Sequence, residues 1–248
     1  MRKWFFFLFL SLICSPLFSF NLNQHNQMIL VLADDWGSNV ATLYVYNRKD
    51  NHSEWELEKE AMKVKLSPKG LAWGRGLHPN KKLIGPRKRE EDKRTPAGIF
   101  PIGPVVGKKA KEDLNPLKMP YIHLSDSILA VNDILSPYYN QIVDSRYVQK
   151  DWSCSLELSK SECLKWGAII EYNLHPSISK EGSSTFLLED TGEFSMLDFA
   201  FAALAYDDLL DVIYCLRQVD KPVITLLTVQ DYIKFKNVWH LPNLEWIK

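Results

Sequence analysis

LAWGRGLHPNKKLIGPRKREEDKRTPAGIFPIG, residues 71–103, is too polar for a core and too ordered for a linker. Gly74, Gly76, Gly85, Gly98 and Gly103 free the backbone, while Pro79, Pro86, Pro96 and Pro101 fix φ, so the stretch reads as a rigidly turned surface. Its charges alternate in blocks of opposite sign. Composition alone describes a solvated charged loop between strands. Stiff loops lined with Arg, Lys, His and Thr are also where binding sites tend to lie.

Toward the N-terminus, QMILVLA at Gln27 to Ala33, apolar from Met28 on, reads as a buried strand, followed by the turn Asp34 to Gly37 and a second strand from Thr42 to Asn47. Trp55 to Ala61 alternates apolar and charged residues and Val64 to Leu66 continues the β pattern, which predicts antiparallel sheet before the opening stretch. Beyond the stretch, Pro120 to Leu124 and Ile128 to Val131 read as short strands, and Asn132 to Asp144 as a loop. Ser155 to Trp166 reads as an amphipathic helix stopped by Gly167. Ala168 to Asn173, Gly182 to Leu188 and Pro222 to Leu227 are further strands, and the dense apolar segment from Met196 to Leu216 reads as one helix or two. Trp239 and Trp246 in the tail are expected to cap the core. No repeat, low-complexity tract or interdomain linker interrupts the chain.

At 248 residues, 46% hydrophobic and 24% charged, the chain has ordinary globular composition and room for a sizeable core. The 30 residues of each charge sign cancel, so no global field draws it to nucleic acid or to an anionic membrane. Arg2 and Lys3 ahead of the apolar run Trp4 to Cys14, then Ser15 to Ser19, form a secretory signal pattern. The run is shorter than the roughly 20 residues of a bilayer span, and either cleavage near Ser19 or retention as a signal anchor fits it. Three cysteines follow the signal, Cys154, Cys163 and Cys215. An odd number in an oxidising compartment leaves one unpaired if Cys154 and Cys163 bridge, and all three equally read as small buried hydrophobes.

Several chemistries fail on spacing. His78, His123, His175 and His240 lack a second ligand at metal-binding separation. Gly74, Arg75 and Gly76 neither open a helix after a strand nor carry the Lys and Ser/Thr of a phosphate loop. The basic run Arg87 to Arg89 is cancelled by Glu90, Glu91 and Asp92, which speaks against nucleic-acid binding. No cofactor or metal is expected.

The order of motifs resembles one branch of the L,D-transpeptidase catalytic (YkuD-type) family. WGRGLH at Trp73 to His78 and GPRKREEDKRTPAGIFPIG at Gly85 to Gly103 are similar to that branch's WGRGLH and KREGDGRTPAGxFxxG. Pro120 and Tyr121 resemble its LPY, Val131 to Asp144 its VDDxxSxxYNxIVD, and Asp151 and Trp152 its DW. Ile169 to Asn173 resembles its VVxHN with Tyr172 in place of His, and Gly182 to Leu187 its GSxIFL. The matches run in order over about two-thirds of the chain.

That resemblance implies a β-rich α+β fold, an L,D-transpeptidase-like β-sandwich with a few helices including one near residues 196–216. It implies a signal segment at 1–19, a single domain at 25–232, and a C-terminal tail at 233–248 packed on it. The family acts on peptidoglycan stem peptides in the cell envelope. A histidine-activated thiolate attacks a peptide carbonyl, a thioester forms, and an amine or water resolves it. The positions matching the histidine and the nucleophile are Leu188 and Phe201, with Ala200 at the turn glycine, and neither replacement carries a nucleophilic atom or an exchangeable proton. No catalytic residue is therefore assigned, and the segment holding Phe201 is expected to be an extra turn of buried helix. Cys215, among Ile213, Tyr214 and Leu216, is expected to be buried with a raised pKa, and Cys163 has no histidine near it in sequence.

Arg75, His78, Arg94, Thr95, Asn173, Ser183 and Ser184 are present and polar, and suit either a carboxylate-bearing peptide or loop hydrogen bonding. Glu91 and Lys93 stand where the family pattern has glycine, so a different loop conformation is expected there. The expectation is a periplasmic or otherwise extracytoplasmic protein, lacking catalysis, that binds a peptidoglycan stem peptide or a wall-synthesis protein and meets the membrane only through an uncleaved N-terminus. The alternatives are an active transpeptidase or carboxypeptidase with a relocated cysteine, and a structural envelope protein with a filled cleft.

Overall fold

The structure is a computed structural model that describes residues 22–80, 83–114, 116–174, 176–192 and 199–244. The signal segment, His175 and Trp246 lie outside the described residues.

Strand β1 (Gln27–Ala33) is buried along its whole length. Its all-apolar run needs cover on both faces. It pairs antiparallel with β2 (Val40–Asn47), which pairs antiparallel with β3 (Glu56–Lys65). The opening stretch is a loop only in its middle, with strand at both ends. It contains β4 (Leu71–Trp73) and the thirteen-residue β5 (Thr95–Gly107), the longest strand among the described residues. Short β6 (Tyr121–His123) runs parallel to the end of β5 and β4 parallel to its start. Next come β7 (Ile128–Val131), β8 (Gln141–Asp144) and β9 (Ser155–Glu157), which form a separate small sheet in the order β8-β7-β9. The main sheet is completed by β10 (Trp166–Ile170), β11 (Thr185–Glu189), β12 (Ala200–Leu204) and β13 (Val223–Thr228).

The order β10-β11-β12-β3-β2-β1-β13-β5 closes because β5 also pairs with β10. The result is a closed eight-stranded barrel beside a small sheet, so the fold is β-rich α+β. The expected two-layer sandwich is a barrel instead. Closure removes the exposed edges an open sheet leaves. The joint between β12 and β3 is the thinnest, with only Ala203 opposite Lys65.

Helix α1 (Tyr206–Cys215) buries Leu209, Val212 and Ile213, spaced to lie on one face, against the outside of β10, β11 and β12. It has no side-chain N-cap, but Asp207 and Asp208 place negative charge in its first turn. The expected helix over 196–216 therefore begins only at Tyr206, and Phe201 lies in a strand. The small residues Ala200, Ala202 and Ala203 fit β12 between its neighbours, whereas helical spacing alone suggested continuity. Helix α2 (Val229–Phe235) covers β13 and β1. The Thr228 hydroxyl oxygen accepts the Asp231 N–H at 3.0 Å, a cap that starts α2 directly after β13. The amphipathic helix expected at Ser155 to Trp166 is strand β9 followed by two single 3₁₀ turns. Part of the expected loop from Asn132 to Asp144 is strand β8.

One proline of β5 stands where the strand changes partners. Residues 98–101 pair with β13 and residues 102–107 with β10, so Pro101 sits at the changeover and its carbonyl accepts the Glu171 N–H at 2.9 Å. A proline is tolerated in a strand where its missing donor is not required. Gly98 has φ 137°, and a Cβ built on it would lie 2.0 Å from the His78 ring. Both facts forbid a side chain at this point. Gly98→Ala is expected to destabilise the protein by at least about 2–3 kcal/mol through overpacking against a rigid ring. Urea unfolding measures it. The double variant with His78→Ala should recover part of the loss, because it empties the clashing position.

Candidate functional site

Two loops from the family-like motifs meet on the barrel wall. The first spans residues 88–94. Lys88 pairs with Asp92, whose carboxylate also accepts the backbone N–H of Arg89 at 2.8 Å and of Arg94 at 2.9 Å. Glu91 and Lys93 have φ of 61° and 57°. Both residues thus adopt the left-handed backbone that glycine takes most readily. A left-handed conformation costs an L-residue roughly 1–2 kcal/mol. The dense hydrogen bonding of Asp92 holds it in place.

Arg94 donates from Nη1 to the Leu71 carbonyl at 3.1 Å. The Thr95 hydroxyl, wholly buried, accepts the Ser67 N–H at 3.0 Å. Both side chains tie the loop to its own barrel. Neither presents its polar group to a cleft.

The second loop spans residues 173–184 and is organised from inside by Asn173. That residue is fully buried at φ 50°, its Nδ2 donates to the carbonyls of Ile178 and Gly182 at 2.9 and 2.8 Å, and its Oδ1 accepts the Ile178 N–H at 3.1 Å. Asn140 performs the neighbouring task. Its Nδ2 donates to the carbonyls of Tyr172 and Asn173, and its Oδ1 accepts the Ser184 N–H at 2.7 Å. The Ser184 hydroxyl is buried without a partner among the described residues.

Glu90 joins the two loops. Its carboxylate accepts the Ser183 hydroxyl at 2.8 Å and a short bond from the Tyr139 hydroxyl, and its N–H donates to the Lys180 carbonyl at 2.9 Å. Burial, and then the Glu90 carboxylate, push the Tyr139 phenol far above its ordinary range. Sequence reasoning did not single out Glu90, Tyr139 or Asn140 for this junction. The Tyr-Asn pair was visible, and an asparagine in left-handed backbone, as at Asn140 with φ 62°, is a familiar turn signal.

His78 lies in the core, 3% exposed, with its ring among Trp73, Phe100 and Trp239. Its Nδ1 accepts the Ile99 N–H at 3.0 Å. Burial lowers its pKa to about 4. Arg75 differs from the other expected ligand residues. It is half-buried, its carbonyl accepts the Asn173 N–H at 2.9 Å, and among the described residues its guanidinium has no ion pair.

Leu188 and Phe201 are both completely buried. They occupy adjacent strands, yet Leu188 packs in the cluster with Val106, Leu164 and Phe186, whereas Phe201 packs in the main core and meets Phe100 edge-on at 5.9 Å between ring centres. The two side chains point to opposite faces of the barrel wall. The three described cysteines are free thiols. Cys163 is buried, and burial pushes the Cys215 thiol up to about 12.

Two clefts flank the junction. One, of about 520 Å³, is lined by Arg89, Glu91, Lys180, Ser183 and the exposed Cys154, among others. The other, of about 770 Å³, is lined by Ile122, Ile142, Ile169 and Leu174 with the carboxylate of Glu171 and with Tyr139 and Asn140. Glu90 and Ser183 face the first and Tyr139 the second, so the hydrogen-bonded junction is the wall between them. Arg89 and Lys180 make no ion pair among the described residues, which leaves the first cleft able to receive a carboxylate. No cluster of metal-binding side chains occurs among the described residues. Comparison with protein families, with curated proteins and with solved structures finds no match to this chain.

The lowered pKa of His78 makes stability depend on pH. The unfolded chain takes up a proton near 6.5 and the folded one only near 4, so acid favours unfolding across that window. Stability should fall by about 2–3 kcal/mol between neutral pH and about pH 4.5 on this account. His78→Gln should remove most of that slope in urea titrations at several pH values. His25, also lowered by burial, contributes in the same direction in both proteins. Glu91→Gly should be neutral or stabilise by up to about 1 kcal/mol, since relief of left-handed strain is partly offset by glycine's entropy. Thermal melts test it, and a clear loss would contradict the strained backbone.

Proposed function

We propose that the protein is an extracytoplasmic, L,D-transpeptidase-like cell-envelope domain that binds its target without thiol catalysis. The target class is a peptidoglycan stem peptide or a wall-synthesis protein. The observation that carries this reading is the burial of Leu188 and Phe201 on opposite faces of the wall. A nucleophile and its base must lie within hydrogen-bond reach at a site the substrate enters. Here even restoring Cys and His by substitution would place them in different packing layers.

Binding remains well provided for. The smaller cleft, whose lining also holds Glu90, Glu91 and Asp133, offers Arg89 and Lys180 to a carboxylate, and the apolar cleft beyond the Glu90 junction offers Ile122, Ile142 and Leu174 to side chains, with Glu171 for an amine. A short peptide carrying both charges has complementary groups on each side of the wall. Arg75, with no ion pair among the described residues, is a further cation that the same framework holds.

A second reading has one observation in its favour. Cys154 is exposed and lines the smaller cleft together with Ser183, so a relocated nucleophile has a candidate there. No histidine lines that cleft among the described residues, which leaves the thiol without a neighbouring base.

Incubation of the purified full chain with tetrapeptide muropeptides, followed by mass spectrometry, separates these readings. The expected result is saturable binding to isolated sacculi with no shortened or cross-linked product. Turnover that disappears in Cys154→Ala would replace the binding reading with the enzymatic one. Absence of both turnover and saturable binding would leave a structural envelope protein with filled clefts.

A further inference from the structure

A third cavity, of about 750 Å³, shares no lining residue with the two clefts and has a different chemistry. Its walls come from three separate parts of the chain: Asn23 near the first described residue, the turn between β2 and β3 from Arg48 to Trp55, and residues 236–243 after α2. Its volume is within the range of small-ligand sites. Polar side chains dominate the lining, with Asn51, Asn237 and Asn243 drawn from two of the walls.

The walls are fixed to one another. Arg48 is 7% exposed, and it donates from Nη2 to the Leu22 carbonyl at 2.7 Å and from Nε to the His25 carbonyl at 3.1 Å. Its guanidinium lies over the Trp55 ring, 4.3 Å from the centre. The Trp55 indole N–H in turn donates to the His240 carbonyl at 2.9 Å. The Tyr232 hydroxyl donates to the Pro242 carbonyl and accepts the Leu244 N–H, which holds the third wall. The cavity is thus preformed rather than a gap between loose loops.

Its charge is unbalanced. Arg48 makes no ion pair among the described residues, and its Nη1 has no hydrogen-bond partner among them. Asp50 acts on Arg48 electrostatically but forms no ion pair with it among the described residues; its Oδ1 accepts the His52 N–H and the Ser53 hydroxyl, each at 2.9 Å. Lys236 is also without a carboxylate partner among the described residues, its ammonium lying 5.9 Å from the centre of the Tyr232 ring. Against these two cations the lining holds one acid, Glu54. A nearly buried guanidinium that faces a polar cavity with no ion pair there invites an anion.

Charge alone does not define the ligand. The three asparagine amides each donate and accept, and hydroxyl groups do the same, so rows of amides match a polyhydroxylated molecule better than a plain anion. We infer that this cavity binds a sugar carrying a carboxylate, with Arg48 Nη1 and Lys236 on the acid group and the asparagine amides on the hydroxyls. The inference rests neither on the family resemblance nor on the clefts beside Glu90. It therefore stands or falls separately from the proposed function.

Calorimetric titration of the full chain with trigalacturonate, maltotriose and glutarate tests it. Trigalacturonate should bind saturably and at least about tenfold more tightly than either the neutral sugar or the plain diacid. Lys236→Ala and Asn237→Ala, both at partly or fully exposed positions, should each weaken it about tenfold or more while leaving the melting temperature unchanged. If either variant lowers the melting temperature, Asn51→Ala in the opposite wall makes the same test. No saturable binding at millimolar concentration would overturn the proposal. So would equal affinity for maltotriose or for glutarate, or undiminished binding in the variants.

Discussion

The His78 ring resting against the bare backbone of Gly98 is the contact on which the order of this fold depends. It brings the WGRGLH turn onto the middle of β5, where the Ile99 N–H donates to Nδ1 and the rings of Trp73, Phe100 and Trp239 enclose the imidazole. Trp73 continues the chain of contacts by donating its indole N–H to the Ile84 carbonyl at 2.8 Å, which lays residues 84–88 beside β4. Phe235 stacks on Trp239 at 4.3 Å and so joins the C-terminal helix to the same cluster. One glycine thus lets three distant segments share a core, and the burial that results keeps the histidine neutral.

A second set of glycines serves a different aromatic residue. Tyr172, where the family pattern has histidine, is 1% exposed, and Cβ atoms at Gly74 and Gly182 would come within 3 Å of its ring or hydroxyl. Its hydroxyl has no partner among the described residues. Burial pushes its phenol far above the ordinary range, so it remains protonated and serves by filling space. The polar residues around it follow the same logic. Asn173, Asn140 and Thr95 spend their hydrogen bonds on backbone groups that the turns leave unpaired, which is the usual fate of buried amides and hydroxyls. Motif residues that look like ligands in a string of letters are here the means by which two loops hold their shape.

What was legible in the sequence follows physical lines. Strand β1 begins and ends where its continuous apolar run does, because a strand covered on both faces leaves no other pattern. Strand β5 was hidden by its own prolines and glycines, whose meaning depends on partners far away in the chain: β13 for one half and β10 for the other. The segment around Phe201 has helical spacing and strand structure, since every face of it is buried and periodicity then carries no information. Closure into a barrel was likewise out of reach, as it rests on the single pairing of β5 with β10. At the candidate site, the residue types were visible but their direction was not. Glu90 was read as one half of a cancelling charge run, yet its neighbours in space are Tyr139 and Ser183.

The backbone at Glu91 and Lys93 separates two kinds of constraint that a family resemblance merges. The left-handed conformation there persists with side chains that disfavour it, because Asp92, Arg94 and Glu90 each bond to backbone or to the facing loop. Loop geometry is over-determined in this way: many weak bonds enforce it, and no single one decides it. A catalytic pair has no such redundancy, since its effect needs two particular atoms in one place. Leu188 and Phe201 fit their strands better than charged or polar groups would, each contributing roughly 1.5–3 kcal/mol of burial where a polar group would lack a partner. Apolar burial at these two positions and the hydrogen bonds of the loops around them are thus separate constraints, so a change in one leaves the other in force.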